Sequence, residues 1–324
     1  MHNVDASPLA VGGISLRLYP HDELGAVEQI AELRGQAALA ADAGYDGVMV
    51  SEHHGGYPGY LPNPIQIATM LLPAMTRGWV APCPLLLPMQ PHALIAEQLA
   101  WLAACYPGRV GAGFAAGAVP VDFQLAEVPF DEITSRFKRA LPLVVSALRG
   151  NAEGPLADDA AIRRCKNDPL PMVVAAQSHA AVRRAARLGL GVLYDSLQTP
   201  EATAAMSADY RAAGGTGPCI LIRRVWIGDP PQAAVDAQMV RYRAHALDRV
   251  VKNWGTGSGV VVGASGAEAA ASLVAAARQA GCDTINVRIY LAGLTPAEVR
   301  QQLALHAADF LPALRRIWPR HSDG

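Results

Sequence analysis

Short runs of apolar and β-branched residues alternate with amphipathic helical patterns along the whole of this 324-residue chain. No other feature of the sequence constrains the fold as tightly. The β-like runs cover residues 13–19, 46–52, 79–87, 109–114, 171–176, 190–194, 219–227 and 283–290. Helical patterns lie between them, among them 27–43, 92–104 and 131–148. In the last of these Ile133, Phe137, Leu141, Val144 and Leu148 recur at helical spacing with charges opposite. Pro142 inside it predicts a kink. Strands alternating with helices imply parallel pairing with helices covering the sheet. Eight such units favour an α/β fold closed into a (β/α)8 TIM barrel over an open sheet. The polar segment 150–169 reads as an excursion between strands four and five, and an extra apolar run at 260–262 precedes another helix. Thr295-Pro296-Ala297-Glu298 supplies an N-cap, a first-turn proline and a capping-box glutamate for the closing helix. Without a repeat or a low-complexity linker, residues 1–324 read as one domain.

Such a barrel needs a large core, and hydrophobic residues are 51% of the chain against 17% charged. The formal net charge of -1 offers no basic excess for nucleic acid or an anionic membrane surface, so the expected partners are small molecules. Cys83, Cys105, Cys165, Cys219 and Cys282 are scattered without a CxxC pair, which fits reduced thiols in a cytoplasmic protein. No cationic n-region opens the chain, so no signal peptide is expected. Two long uncharged stretches, 55–76 and 78–96, are interrupted by Pro58, Pro62, Pro64 and Pro73 and by Pro82, Pro84, Pro88 and Pro91. Prolines at that density do not read as membrane spans.

In a parallel barrel the chemistry gathers at the C-terminal ends of the strands. Strand two ends in Ser51-Glu52-His53-His54, followed by a glycine- and tyrosine-rich loop carrying Tyr57 and Tyr60. Imidazole exchanges a proton near neutral pH, so a histidine here suits acid–base work or orientation of a cofactor. The same residue also reads as a satisfied histidine capping a strand end. His53 and His54 are adjacent in a strand, point to opposite faces and should not share a role. Neither belongs to a metal-ligand spacing. The other histidines, His2, His21, His92, His179, His245, His306 and His321, are dispersed and read mostly as surface residues. Gly111-Ala112-Gly113-Phe114-Ala115-Ala116 matches G-x-G-x-x-A in form, but Pro120 follows where a helix should start. These glycines either let a flat ring approach the backbone or serve tight packing. Gln177-Ser178 precedes a helix over 179–188, whose N-terminus suits a phosphate, while Ser178 also reads as a plain N-cap.

Taken in order, several stretches resemble the bacterial luciferase-like flavin-dependent monooxygenase family. They are Ala43-Gly44-Tyr45-Asp46-Gly47-Val48-Met49-Val50-Ser51-Glu52-His53-His54, Asn63-Pro64, Leu85-Leu86-Leu87-Pro88, Ala96-Glu97-Gln98-Leu99-Ala100-Trp101-Leu102 and Pro107-Gly108-Arg109-Val110-Gly111-Ala112-Gly113. Val262-Gly263-Ala264-Ser265 and Ala280-Gly281-Cys282-Asp283 complete the resemblance near the end. It implies reduced FMN from a separate flavin reductase, attack of O2 to give a C4a-peroxyflavin, and oxidation of a small organic substrate. By the same resemblance His53 is the catalytic histidine. Glu52 and His54 support the site, and Tyr57 and Tyr60 touch the substrate or that support. Cys83 and Pro84 form a cis peptide beneath the flavin ring, with Gly113 and Ala115 nearby, and Gln177 and Ser178 lie by the phosphate. Ala116 stands where luciferases carry a phosphate-binding arginine, which leaves open a deazaflavin cofactor or a catalytically silent flavin-binding protein. The loops 55–60, 115–128 and 151–169 are expected to select the substrate. The apolar helices 64–75 and 92–104 suit either a homodimer surface or packing on the barrel.

Overall fold

The computed structural model describes residues 6–245, 254–255 and 259–318. Each expected β run contains an observed strand: β1 Ile14–Arg17, β2 Gly47–Val50, β3 Trp79–Pro82, β5 Ala112–Ala115, β6 Met172–Ala175, β7 Gly191–Leu193, β8 Cys219–Ile227 and β10 Thr284–Arg288. The run over 79–87 is divided, because the Cys83–Pro84 peptide is cis and the chain resumes as the two-residue strand β4, Leu85–Leu86. Every strand pair is parallel, in the order β3-β2-β1-β10-β8-β7-β6-β5-β4. A bridge between Val80 and Val110 joins β3 to the approach of β5 and closes the ring. Among the described residues strand β9, Val260–Gly263, pairs with the far end of β8 and stands outside that ring.

The barrel interior is lined by Met49, Trp79, Ala81, Cys83, Val173, Leu193, Ile220 and Ile222, with Leu9 packed among them. A larger apolar layer fills the space between strands and helices. The helices begin and end where the sequence says they should. Helix α1, Ala26–Ala43, stops at Gly44, whose φ of 107 only glycine adopts easily. Helix α3 covers His92–Cys105, and α5, Ile133–Ala147, runs unbroken through Pro142. Among the described residues no helix is long and apolar enough to cross a membrane.

Two expectations are corrected. His21 and His306 are not surface residues but fully buried. His21 Nδ1 meets the Leu294 carbonyl at 3.0 Å, and the Tyr45 hydroxyl meets His306 Nδ1 at 2.7 Å. His2 and His321 lie outside the described residues. The excursion over 151–169 does not reach the catalytic end of the barrel. It joins the end of α5 to the start of β6, and the amide of Leu170 donates to the Leu148 carbonyl at 3.1 Å where the two ends meet. Its short helix α6, Ala160–Arg164, packs on α3, and Trp101 Nε1 donates to Asp159 at 3.0 Å. A helix-to-strand connection lies at the N-terminal face, so substrate selection falls to the other loops.

Candidate active site

At the end of β2 the chain leaves the sheet as Glu52-His53-His54, and the loop after it turns at Gly55, Gly56 and Gly59, all with positive φ. Those left-handed turns fold Tyr57 and Tyr60 back onto His53. The His53 ring stacks on Tyr57 with centroids 4.6 Å apart and meets Tyr60 edge-on at 4.5 Å. Behind it lies Asp122, from the short helix α4, Pro120–Leu125, and fully buried. His53 Nδ1 donates to Asp122 Oδ2 at 2.8 Å, while the His54 backbone N–H donates to Oδ1 at 2.7 Å. One carboxylate thus fixes both the imidazole and the loop that carries it. Nε2 of His53 has no protein partner among the described residues, and the side chain keeps 20% exposure, so that nitrogen can exchange a proton.

His54 turns the other way, its Nε2 meeting Glu52 Oε1 at 3.1 Å. The hydrogen bond to Glu52, outweighing partial burial, raises the His54 pKa above the usual histidine value. The second Glu52 oxygen accepts from the Leu86 amide and its own amide donates to the Pro84 carbonyl at 3.3 Å. Glu52 therefore ties the end of β2 to the chain just beyond the cis peptide. The two imidazoles have separate partners, Asp122 and Glu52, although both histidines lie past the end of β2.

The Cys83–Pro84 floor rests on Arg17. This wholly buried guanidinium donates from Nη1 to the Cys83 carbonyl at 2.6 Å and to Ser51 Oγ, and from Nε to Asn286 Oδ1 at 2.9 Å. Burial pushes the Cys83 thiol up to about 11, with Arg17 opposing, so it is neutral at physiological pH. Gly113 faces the same floor. A Cβ there would lie 2.1 Å from Cys83 Sγ, so the packing reading of that glycine holds. Ala115 and Ala116 follow it, both half-buried.

Arg17 is one of three. In the parallel register Arg17 of β1 pairs with Arg288 of β10, which pairs with Arg224 of β8, so three adjacent strands carry a row of buried arginines, at the ends of β1 and β10 and within β8. The sequence reading passed over all three, and over Asp122. An arginine inside an apolar strand (Leu16-Arg17-Leu18, Val287-Arg288-Ile289) is the signal that could have found them. Around the row stand Tyr19, Tyr60 and Tyr242. Arg288 Cζ sits 5.4 Å from the Tyr19 ring centroid, and Arg224 Nη2 donates to the Tyr242 hydroxyl at 2.8 Å. Tyr242 belongs to helix α9, Gln232–His245, which follows β8.

The expected phosphate end lies beyond β6. Ser178 caps α7, His179–Arg187, accepting from the Ala181 amide at 3.3 Å. Gln177 is exposed, with its amide 3.5 Å from Asp195. Of the nearby cations Arg183 is already paired with Asp209 at 2.9 Å. These residues leave room for an anion at the helix start but bring no free guanidinium from Arg183.

A family model for luciferase-like monooxygenases matches residues 13–311. The chain belongs to that family. Uncharacterized proteins of Mycobacterium tuberculosis and Mycobacterium bovis are 33% identical over 106 residues, a match that spans 37% of their length and 31% of this chain. Solved structures share the fold. Monooxygenase RslO1 from Streptomyces bottropensis superposes with a TM-score of 0.77 at 23% identity, over 93% of this chain and 99% of that one. The oxygenating constituent of 3,6-diketocamphane monooxygenase from Pseudomonas putida, solved with FMN, gives 0.73 at 18% over 93% and 98%. An F420-dependent secondary alcohol dehydrogenase gives 0.71 at 15% over 94% and 99%.

Proposed function

We propose that this protein is a monooxygenase that takes reduced FMN from a separate reductase and uses O2 to oxidise a small organic substrate. The observation that carries the reading is the His53–Asp122 pair at the end of β2, beside the cis Cys83–Pro84 floor, in a chain of this family. The residues fit the cofactor: Cys83 and Pro84 would lie beneath the ring, Ala115 beside it, and Gln177 and Ser178 at the phosphate. When bound, the reduced flavin supplies the electrons that activate oxygen. The protein supplies the rest. Arg17 holds the floor through the Cys83 carbonyl. Tyr57 and Tyr60 wall off water around His53. Asp122 keeps the proton on Nδ1, leaving Nε2 to give or take one at the reacting group.

The family resemblance also admits a deazaflavin cofactor, and Ala116 in place of an arginine is the feature that leaves it open. One experiment separates the two. The protein is titrated anaerobically with reduced FMN and with reduced deazaflavin, and air is then admitted. Binding of reduced FMN followed by oxygen uptake faster than that of free reduced flavin is the expected result. Binding of the deazaflavin alone, or FMN binding with no change in oxygen uptake, would overturn the proposal.

A further inference from the structure

Three arginines side by side in β1, β10 and β8 are an expensive arrangement for folding alone. Arg17, Arg224 and Arg288 are respectively 2%, 4% and 8% exposed. Among the described residues none of them has a carboxylate within ion-pair distance, although Arg300, Arg211 and Arg315 nearer the surface all do. Arg17 is spent on neutral partners beneath the floor. The other two are not fully used. Nε of Arg224 and Nε of Arg288 are buried without a hydrogen-bond partner among the described residues, and so are the Tyr19 hydroxyl and both polar atoms of the Gln198 amide. Arg288 Nη1 donates to Ser196 Oγ at 2.9 Å and Arg224 Nη2 to Tyr242, which leaves donors on both forks. The carboxylate nearest in character is Asp195, and its Oδ1 is taken by the Leu197 amide at 2.8 Å.

Tyr242 reports what this place does to an oxygen. Burial alone would raise the phenol's pKa, yet the charges of Arg224 and Arg288, with hydrogen bonds from Tyr60 and Arg224, bring it below the usual tyrosine value. A narrow crevice, too tight for a water molecule with the side chains as they stand, is lined by Tyr19, Tyr60, Arg224, Tyr242 and Tyr290, and Arg288 stands behind it against the Tyr19 ring. It connects to the catalytic histidine through ring contacts: His53 to Tyr60 at 4.5 Å, and Tyr60 to Tyr19 at 5.4 Å.

We propose that Arg224 and Arg288, with the hydroxyl of Tyr19, form an anion subsite, and that the substrate oxidised beside His53 carries a carboxylate held there. A planar guanidinium fork matches a carboxylate's two oxygens. The flavin's phosphate is the rival anion, since the helix start at Ser178 follows β6, only two strands from β8 in the ring, and the flavin arms of the test below separate the two. The word substrate here rests on the monooxygenase reading, whereas the anion subsite itself does not.

Calorimetry on the flavin-free protein tests it, with the carboxylates from propionate to decanoate and benzoate set against their primary amides. At least one carboxylate should bind about tenfold or more tighter than its amide, and Arg224→Gln and Arg288→Gln should each weaken it about tenfold. Should either variant fail to fold, Arg288→Lys keeps the charge without the fork and should still lower the preference. Amides binding as tightly as acids, or no acid bound by about 10 mM, would overturn the subsite. So would variants that weaken FMN while sparing riboflavin, or that weaken only reduced flavin, since the arginines would then serve the cofactor. Retained carboxylate selectivity with no binding of reduced FMN would leave the subsite standing and remove the flavin reading alone.

Discussion

A histidine moves a proton usefully only when something decides which ring nitrogen carries it, and at His53 that is Asp122. His53→Ala should slow turnover at least tenfold, about 1.4 kcal/mol in the barrier, with reduced-flavin affinity changed less. Asp122→Asn should slow it comparably while leaving the loop in place, because the amide can still accept from the His54 N–H. Unchanged turnover in both would return His53 to a strand-capping role. His54 offers a separate test. Its pKa is raised by Glu52, so the stabilisation from the charged pair is complete below the unfolded value of about 6.5. It is lost as pH rises through the higher folded value. Glu52→Gln should bring the His54 titration, followed by proton NMR, back down. At position 116 an arginine should tighten FMN by about 1.5–3 kcal/mol and leave riboflavin almost unaffected. Equal effects on both ligands would place that residue away from the phosphate.

The strands and helices were legible because each is written in one contiguous run, with period two or 3.6 and its own caps. Ser178, Thr295 and Ser265 all accept from the amide three residues on, as their sequence positions predict. The break between β3 and β4 was legible only through resemblance, since Cys-Pro alone does not say cis. Each arginine is marked singly by its apolar strand, but that the three form a row was not legible. It depends on which residue of β1 faces which of β10 and β8, and register between distant strands is written in no single segment. Asp122 escaped for the same reason, lying in a loop helix that only the folded barrel brings to His53. Packing between elements makes its own prediction at helix α10, Gly266–Gln279. A Cβ on Gly266 would sit 2.4 Å from the Phe310 amide nitrogen, in the π-helical turn His306–Phe310. Backbone cannot step aside as a side chain can, so Gly266→Ala should lose about 1–3 kcal/mol in urea unfolding. An unchanged midpoint would mean the two helices separate freely there.

Across the whole molecule, charge and stability pull against each other. The chain is nearly neutral in sum, with a formal net charge of -1, yet the barrel holds a row of cations in its interior. Burying an uncompensated guanidinium carries a desolvation penalty of several kcal/mol, and the penalty grows when a like charge stands on the next strand. Against it Arg288 donates one charge-assisted hydrogen bond to Ser196, about 1.5–3 kcal/mol, and makes a cation–π contact with Tyr19 of about 0.5–2 kcal/mol. Burial lowers the Arg288 pKa, yet Tyr19, Tyr242, Tyr60 and Asp195 together raise it above the usual arginine value, so the balance is close to zero, as expected of a residue kept for binding as much as for folding. Arg288→Met fills similar volume without the charge. It should leave urea stability unchanged or raise it by up to about 2 kcal/mol, while removing the rise in melting temperature that a bound carboxylate gives the parent protein. A loss of more than about 3 kcal/mol would show instead that Arg288 is a structural tie between β10 and the loop at Ser196. The interior charge would then belong to the barrel's architecture and not to its ligand.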